Sequence, residues 1–386
     1  MLAATASAWV ACRRMIGASG EAIPTLAEIG RIQATHAAQP TDAPSVPGGT
    51  PTAESLSVGG PDSGSLATSQ PAWPAVIRGP DGIWVIFPLE RFYETRYRYA
   101  SPRPQIDVAG WELTIEGWVQ YPQALKFADI IALPQVEMMR TLECISNPVG
   151  GTLIGNTVWR GVRLADALAL AGPRSGGREL KMTAADGYQT SIPLDLATHP
   201  DSLLVFEMGG APLPVKHGYP LRVLLPGRYG QKQPKWITRM EVITQEFLGY
   251  WEARGWSNEA RIRVNSQIWE PSPLSVISGE TVIVSGVAHA DEHGIQRVEV
   301  STDGGISWED AQLFPGPTPL VWTEWRYEWR LPVVNQATTF TLAIRATDAN
   351  GQTQRRDPEE TSLLNSTFPN GTSDIHRITV TVEPLS

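Results

Sequence analysis

The stretch Thr141-Leu142-Glu143-Cys144-Ile145-Ser146-Asn147-Pro148-Val149-Gly150-Gly151 decides how this chain is read. An apolar run, Met138 to Leu142 with Arg140 interrupting, leads into it. Asn147, Pro148 and two glycines lead out. That is the pattern of a strand delivering a side chain to a loop at its end. The side chain is Cys144, one of two cysteines in 386 residues. A lone cysteine in such a place is a buried small apolar residue, a nucleophile or a metal ligand.

Composition narrows the class. Lys and Arg number 31 against 40 Asp and Glu, a net charge of −9. An acidic balance argues against a nucleic-acid partner. Cys12 and Cys144 cannot build a disulfide framework, and CxxC, CxxCH and HExxH do not occur. Abundant glycine and proline suit short strands and turns more than helical bundles.

Outward from Cys144 the chain reads as a tail and two domains. Residues 20 to 75 are rich in Pro, Gly, Ser, Thr and Ala without periodicity, and 1–75 as a whole is expected to be a disordered or linker tail. The apolar residues Leu2 to Cys12 precede Arg13 and Arg14, the reverse of a signal peptide. They read either as the end of a membrane anchor or as an Ala-rich terminus. From 76 to 266 the elements mix irregularly, which predicts an α+β domain. Trp111–Val119 alternates as a half-buried strand, and Lys126–Pro134 reads as a short helix. Trp159–Gly172 reads as a helix closed by glycine, and Asp186-Gly187 as a turn between strands. Leu203–Met208 and Leu221–Leu225 read as buried strands. From 267 to 386 short strands recur between turns such as Asp303-Gly304-Gly305, which predicts an immunoglobulin-like β-sandwich. The tryptophans of 308–329 fall at strand positions and suit a core or an interface better than a sugar-binding surface.

Two further segments carry candidate chemistry. One is His217 with Arg222. The other is the loop Pro226–Trp236, where Gly227 and Gly230 accompany Arg228, Lys232 and Lys235. Glycines beside cationic side chains let backbone N–H groups and charge converge on a phosphate. The plain alternative is a solvated basic loop.

Several motifs then resemble one family. Thr141–Asn147 with Gly150-Gly151, Trp159-Arg160-Gly161-Val162, His217–Gly227 and Lys235–Arg239 resemble the molybdopterin-binding domain of the sulfite oxidase family. Arg297–Trp308 and Ile344–Asp348 resemble that family's dimerisation domain, and the likeness runs over about residues 80–384. It implies a molybdenum–molybdopterin cofactor with Cys144 as thiolate ligand of the metal, a soft donor suited to it. His217, Arg222 and Lys235 would hold the pterin and its phosphate, with backbone at Gln233 and Pro234. Tyr93 and Glu94 match a segment that touches the cofactor, and Asp186 carries over from a neighbouring loop. The resemblance further implies two-electron oxo transfer on a small-molecule substrate, an oxyanion or a sulfoxide-like compound. It also implies an external electron carrier such as a cytochrome, since the chain has no haem or iron–sulfur motif, and a homodimer. A periplasmic or extracytoplasmic location, with membrane association through the N-terminus, goes with these. The chain departs from sulfite-oxidising members after Cys144, where Ile145–Gly150 is uncharged. Their metal-side tyrosine falls at Phe247 or, shifted, at Tyr250, and their arginine near Tyr93 at Arg96 or Arg98. A non-catalytic pterin-binding or scaffold protein is the alternative reading.

Overall fold

A computed structural model describes residues 77–78, 85–87, 89–98, 102–355 and 367–385. The expected tail over 1–75, with Cys12 and the anchor reading, lies outside the described residues. The described part is mostly sheet with few helices.

Two five-stranded sheets make the first half. One runs Gln123–Lys126, Glu112–Gly117, Ile237–Ile243, Glu179–Ala184, Gln189–Pro193. Only the contact between Ile237–Ile243 and Glu112–Gly117 is parallel there. The other runs Ala211–Pro212, Leu203–Met208, Ile154–Arg163, Gln135–Glu143, with Arg222–Leu224 also paired to Leu203–Met208. Alternating apolar residues of both, such as Leu113, Ile115, Met240 and Val162, Leu204, Phe206, bury one core. This is the expected mixed domain.

The stretch Trp159–Gly172 divides where sequence periodicity predicts one helix. Ile154–Arg163 is a strand, and only Leu164–Ala171 coils. Tertiary pairing overrides local propensity, because Ile154–Arg163 is the central strand between two antiparallel neighbours. Gly161 permits that closeness: a Cβ there would lie 2.1 Å from the Leu204 carbonyl oxygen. The helix buries Leu164, Ala167, Leu168 and Ala171 at i, i+3, i+4 and i+7. Gly172 ends it at φ 60°, as glycine can.

Two sheets also make the second half. Asn265–Glu270, Thr281–His289, Thr323–Arg330 and Gln312–Phe314 form one. Val276–Ile277, His376–Val382, Thr338–Asp348, Ile295–Ser301 and Glu309–Asp310 form the other. A shared apolar core fills the space between them. Trp322, Trp325 and Trp329 are buried, so they are core residues and no sugar platform. The strand Asn265–Glu270 straddles the expected boundary at 266 and pairs within the C-terminal sheet.

A third apolar cluster joins the halves. Leu142, Ile154 and Trp159 pack in it with Phe87, Val321 and Trp322. The strand that ends at Glu143 is therefore pressed against the C-terminal half.

Candidate active site

Cys144 is the first residue beyond the strand Gln135–Glu143, whose last pair is Glu143 with Ile154. Its N–H donates to the Leu153 carbonyl at 2.9 Å, and its own carbonyl accepts from the Asn147 N–H at 2.9 Å. Gly150 supplies the left-handed turn at φ 68° that returns the chain. These bonds point a half-buried thiol into a cavity of about 490 Å³. The Ser146 hydroxyl lies 3.1 Å from its sulfur. Burial pushes the thiol pKa up, and Ser146 partly offsets that. A thiol with a raised pKa is a poor nucleophile on its own, and a bound metal would hold it as the thiolate. The preceding Glu143 is buried too, and burial pushes it up to about 7.

The cavity gathers Cys144 and the residues expected to hold the pterin and its phosphate. Cys144, Tyr93 and Glu94 border it, as do Asp186, His217 and Arg222, and as do Gln233, Pro234 and Lys235. One end is cationic. The Arg222 guanidinium donates to the His217 carbonyl at 3.3 Å and lies 5.4 Å above the Trp159 ring. The Lys235 ammonium donates to the carbonyls of Thr95 at 2.9 Å and Lys216 at 3.0 Å. It sits 4.5 Å above Trp236, whose φ of 55° is rare for a non-glycine residue. Burial first, then Arg222, lowers Lys235 to about 7. Burial first, then Arg222, also lowers His217 to about 3. Burial lowers Arg222 to about 10. Each cation is depressed because solvent is excluded and no carboxylate neutralises the group fully. His217 Nε2 and Arg222 Nε are buried without a hydrogen-bond partner. Two buried nitrogens without a partner, beside the Arg222 and Lys235 side chains, fit a phosphate-bearing group.

Other residues shape rather than charge the site. Arg103 grips the Glu94 carboxylate at 2.9 and 2.8 Å and holds its pKa low, so Glu94 is no free base. Asp186 caps the Tyr188 N–H at 3.1 Å, and its carbonyl accepts from the Tyr97 hydroxyl at 2.6 Å. Burial first, then the Cys144 thiol, raises Tyr93 well above an ordinary phenol.

The basic loop divides. Lys235 faces the cavity, but Arg228 and Lys232 do not border it. Lys232 is buried against Glu252 at 2.6 Å, and Arg228 lies 3.8 Å from Glu292. Local sequence cannot show this, because both carboxylates come from elements further along the chain. Arg96 borders the cavity, whereas Arg98 stacks on Tyr97 at 5.2 Å. Neither Phe247 nor Tyr250 borders it. Tyr250 packs behind Tyr97 at 4.8 Å, and Lys181 covers Phe247. Sequence reasoning passed over Tyr188, Trp251 and Trp256, which line the apolar wall. For Trp251 and Trp256 the aromatic clustering after Phe247 was the available signal.

Among the described residues no group of three or more His, Cys, Asp and Glu side chains can hold a metal ion. One thiol beside a cationic end suits a metal whose remaining ligands arrive with an organic cofactor. Two family models match: the oxidoreductase molybdopterin binding domain over residues 100–251 and the Mo-co oxidoreductase dimerisation domain over 257–382. The chain is 30% identical to sulfite oxidase of Arabidopsis thaliana over 282 residues, 60% of this chain and 71% of that protein. It is 29% identical to mitochondrial sulfite oxidase of Mus musculus over 256 residues, 55% of this chain and 47% of that one. The chain thus spans about half the length of the mouse relative. An uncharacterized oxidoreductase of Bacillus subtilis, YuiH, is 33% identical over 150 residues, 39% of this chain and 74% of that protein. The sulfane dehydrogenase SoxCD of Paracoccus pantotrophus shares the fold at a TM-score of 0.64 and 22% identity, over 80% of this chain and 84% of that one. The chain belongs to the sulfite oxidase family of molybdopterin-dependent oxidoreductases, with molybdenum–molybdopterin as its cofactor.

Proposed function

We propose that the chain moves one oxygen atom to or from a small oxyanion or sulfoxide-like substrate and passes two electrons to or from an external carrier such as a cytochrome. In the oxidative direction the substrate takes its oxygen from water, and two protons and two electrons leave. In the reductive direction the same balance runs backward. The observation that carries the reading is the Cys144 thiol facing the same cavity as the unpaired His217 and Arg222 nitrogens.

When bound, the molybdenum–pterin group supplies a two-electron redox centre that exchanges oxygen. Cys144 would hold the metal through a soft sulfur, and Ser146 is placed to donate to that sulfur. His217, Arg222 and Lys235 would hold the phosphate, supported by backbone at Gln233 and Pro234. Tyr93, Glu94 and Asp186 would border the pterin. Trp251 and Trp256 would give the cavity an aromatic wall. The uncharged Ile145–Gly150 segment supports a substrate bound with less charge than sulfite requires. We also read the C-terminal sheets as immunoglobulin-like, since their strand order follows the two-sheet arrangement of that fold. That half would carry the homodimer contact implied by its family model.

The test is metal analysis with Cys144→Ala. Protein made in a cofactor-competent host is expected to hold molybdenum and to turn over a sulfoxide or small oxyanion with artificial electron carriers. Cys144→Ala should fold but lose turnover. Absence of molybdenum, or unchanged turnover in Cys144→Ala, would sink the proposal. A scaffold role is the outcome if molybdenum binds and no substrate class reacts.

A further inference from the structure

The loop after Cys144 is tied on both flanks to the C-terminal half. Glu143 is 1% exposed, and its two carboxylate oxygens serve different partners. Oε1 accepts from Asn147 Nδ2 at 3.0 Å, inside the loop. Oε2 accepts from Asn265 Nδ2 at 3.0 Å, on the first strand of the C-terminal sheet. Asn147 then closes the loop, its Oδ1 accepting from the Leu153 N–H at 2.9 Å. Asn265 is itself fixed by a second bond to the Arg263 carbonyl at 3.0 Å. On the far side, Gln267 Nε2 donates to the Gly151 carbonyl at 2.8 Å. A Cβ at Gly150 would lie 2.3 Å from His376 Nε2, so the loop backbone rests on that ring. The strand before Cys144 is fixed as well. The Thr141 N–H donates to the Leu320 carbonyl at 3.0 Å, and the Trp322 N–H donates to Thr141 Oγ1 at 2.9 Å.

A turn needs only its own backbone bonds to close, so these contacts do something more. A buried carboxylate is costly without donors, and here its donors come from both halves of the chain. The Asn265 amide sets the Glu143 rotamer. Glu143 sets Asn147, whose N–H binds the Cys144 carbonyl. A second domain thereby fixes the peptide that carries the thiol. Groups behind a metal ligand orient it, and their loss costs about 10- to 100-fold in metal affinity or activity.

We infer that Asn265 is a positioning residue for the Cys144 thiol, acting through Glu143 and Asn147, with Gln267 holding the far side of the same loop. Its consequence for catalysis rests on Cys144 being the metal ligand. The C-terminal half is then part of the active-site frame as well as a dimerisation element.

The experiment compares wild type with Asn265→Leu, close in volume but without the amide. In cofactor-free full-length protein, alkylation of Cys144 by iodoacetamide is followed by peptide mass spectrometry, which separates it from Cys12. Asn265→Leu is expected to change that rate several-fold while circular dichroism stays native. In loaded protein, the electron paramagnetic resonance signal of one-electron-reduced molybdenum should shift or split. The kcat should fall about tenfold with KM unchanged. A folded Asn265→Leu with wild-type alkylation, signal and kcat overturns the inference. If Asn265→Leu does not fold, Gln267→Ala carries the same test from the far side with the same outcomes. If the protein holds no molybdenum, the functional proposal fails, and the alkylation rate still decides this one.

Discussion

Lys235→Met probes the cationic end of the cavity most directly. Burial and Arg222 lower the Lys235 pKa from 10.5 to about 7 in the folded, cofactor-free protein. Between those values the unfolded chain binds a proton that the folded chain does not. Stability therefore rises with pH across that window. At pH ~7 the folded amine is half protonated and the unfolded amine fully so, a cost of about 4 kcal/mol. At pH ~9.5 the cost is about 1.5 kcal/mol, so the wild type gains about 3 kcal/mol over the interval. Methionine removes the titration, along with hydrogen bonds to the Thr95 and Lys216 carbonyls. Those bonds, from an amine that is mostly neutral above pH ~7, contribute about 1 kcal/mol each. The variant should be about 2 kcal/mol more stable than wild type at pH ~7 and about 0.5 kcal/mol less stable at pH ~9.5. Urea unfolding of cofactor-free protein at both pH values, followed by tryptophan fluorescence, measures the difference. Pyrophosphate, as an anionic probe, should flatten the wild-type dependence by keeping Lys235 charged. Parallel pH dependences for wild type and variant would refute the reasoning that the amine is held short of charge.

Three further substitutions test the frame around the cavity. Lys232→Met leaves the Glu252 side chain buried with Thr190 as its remaining partner and should cost about 3–5 kcal/mol in urea unfolding. Trp322→Ala empties a site packed edge-on against Phe87 at 5.5 Å and Trp269 at 5.3 Å. A loss of about 3–5 kcal/mol is expected there, and a loss below ~1 kcal/mol would mean that the halves do not share this cluster. Gly161→Ala forces a Cβ against the Leu204 carbonyl and should destabilise by well over the ~1 kcal/mol of a typical substitution, read as a lowered unfolding midpoint.

Much of this architecture was legible because it is local. The turn at Asp186-Gly187, the glycine cap at Gly172 and the alternating strands of the C-terminal half each follow from a few neighbouring residues. Motif order along the chain pointed to the family, and the cavity unites the residues that those motifs nominated. Helix and strand were confused at Trp159–Arg163 because the deciding partners, Gln135–Glu143 and Leu203–Met208, lie outside any local window.

The sequence by itself determined the parts: a cysteine at a strand end, a cationic set of His217, Arg222 and Lys235, and two textures of chain. Tertiary structure alone decided which of those parts face one another. It turned Lys232 and Arg228 into ion pairs away from the cavity and left Lys235 in it. It set Arg96 at the cavity wall and Arg98 over Tyr97, with Tyr250 packed behind Tyr97. It also placed Asn265 of one half behind Glu143 of the other. The physical reason is one of range. Periodicity and turn chemistry act over a few residues, whereas burial, charge pairing and the orientation of a thiol depend on groups more than a hundred positions apart, brought together only when the apolar faces close.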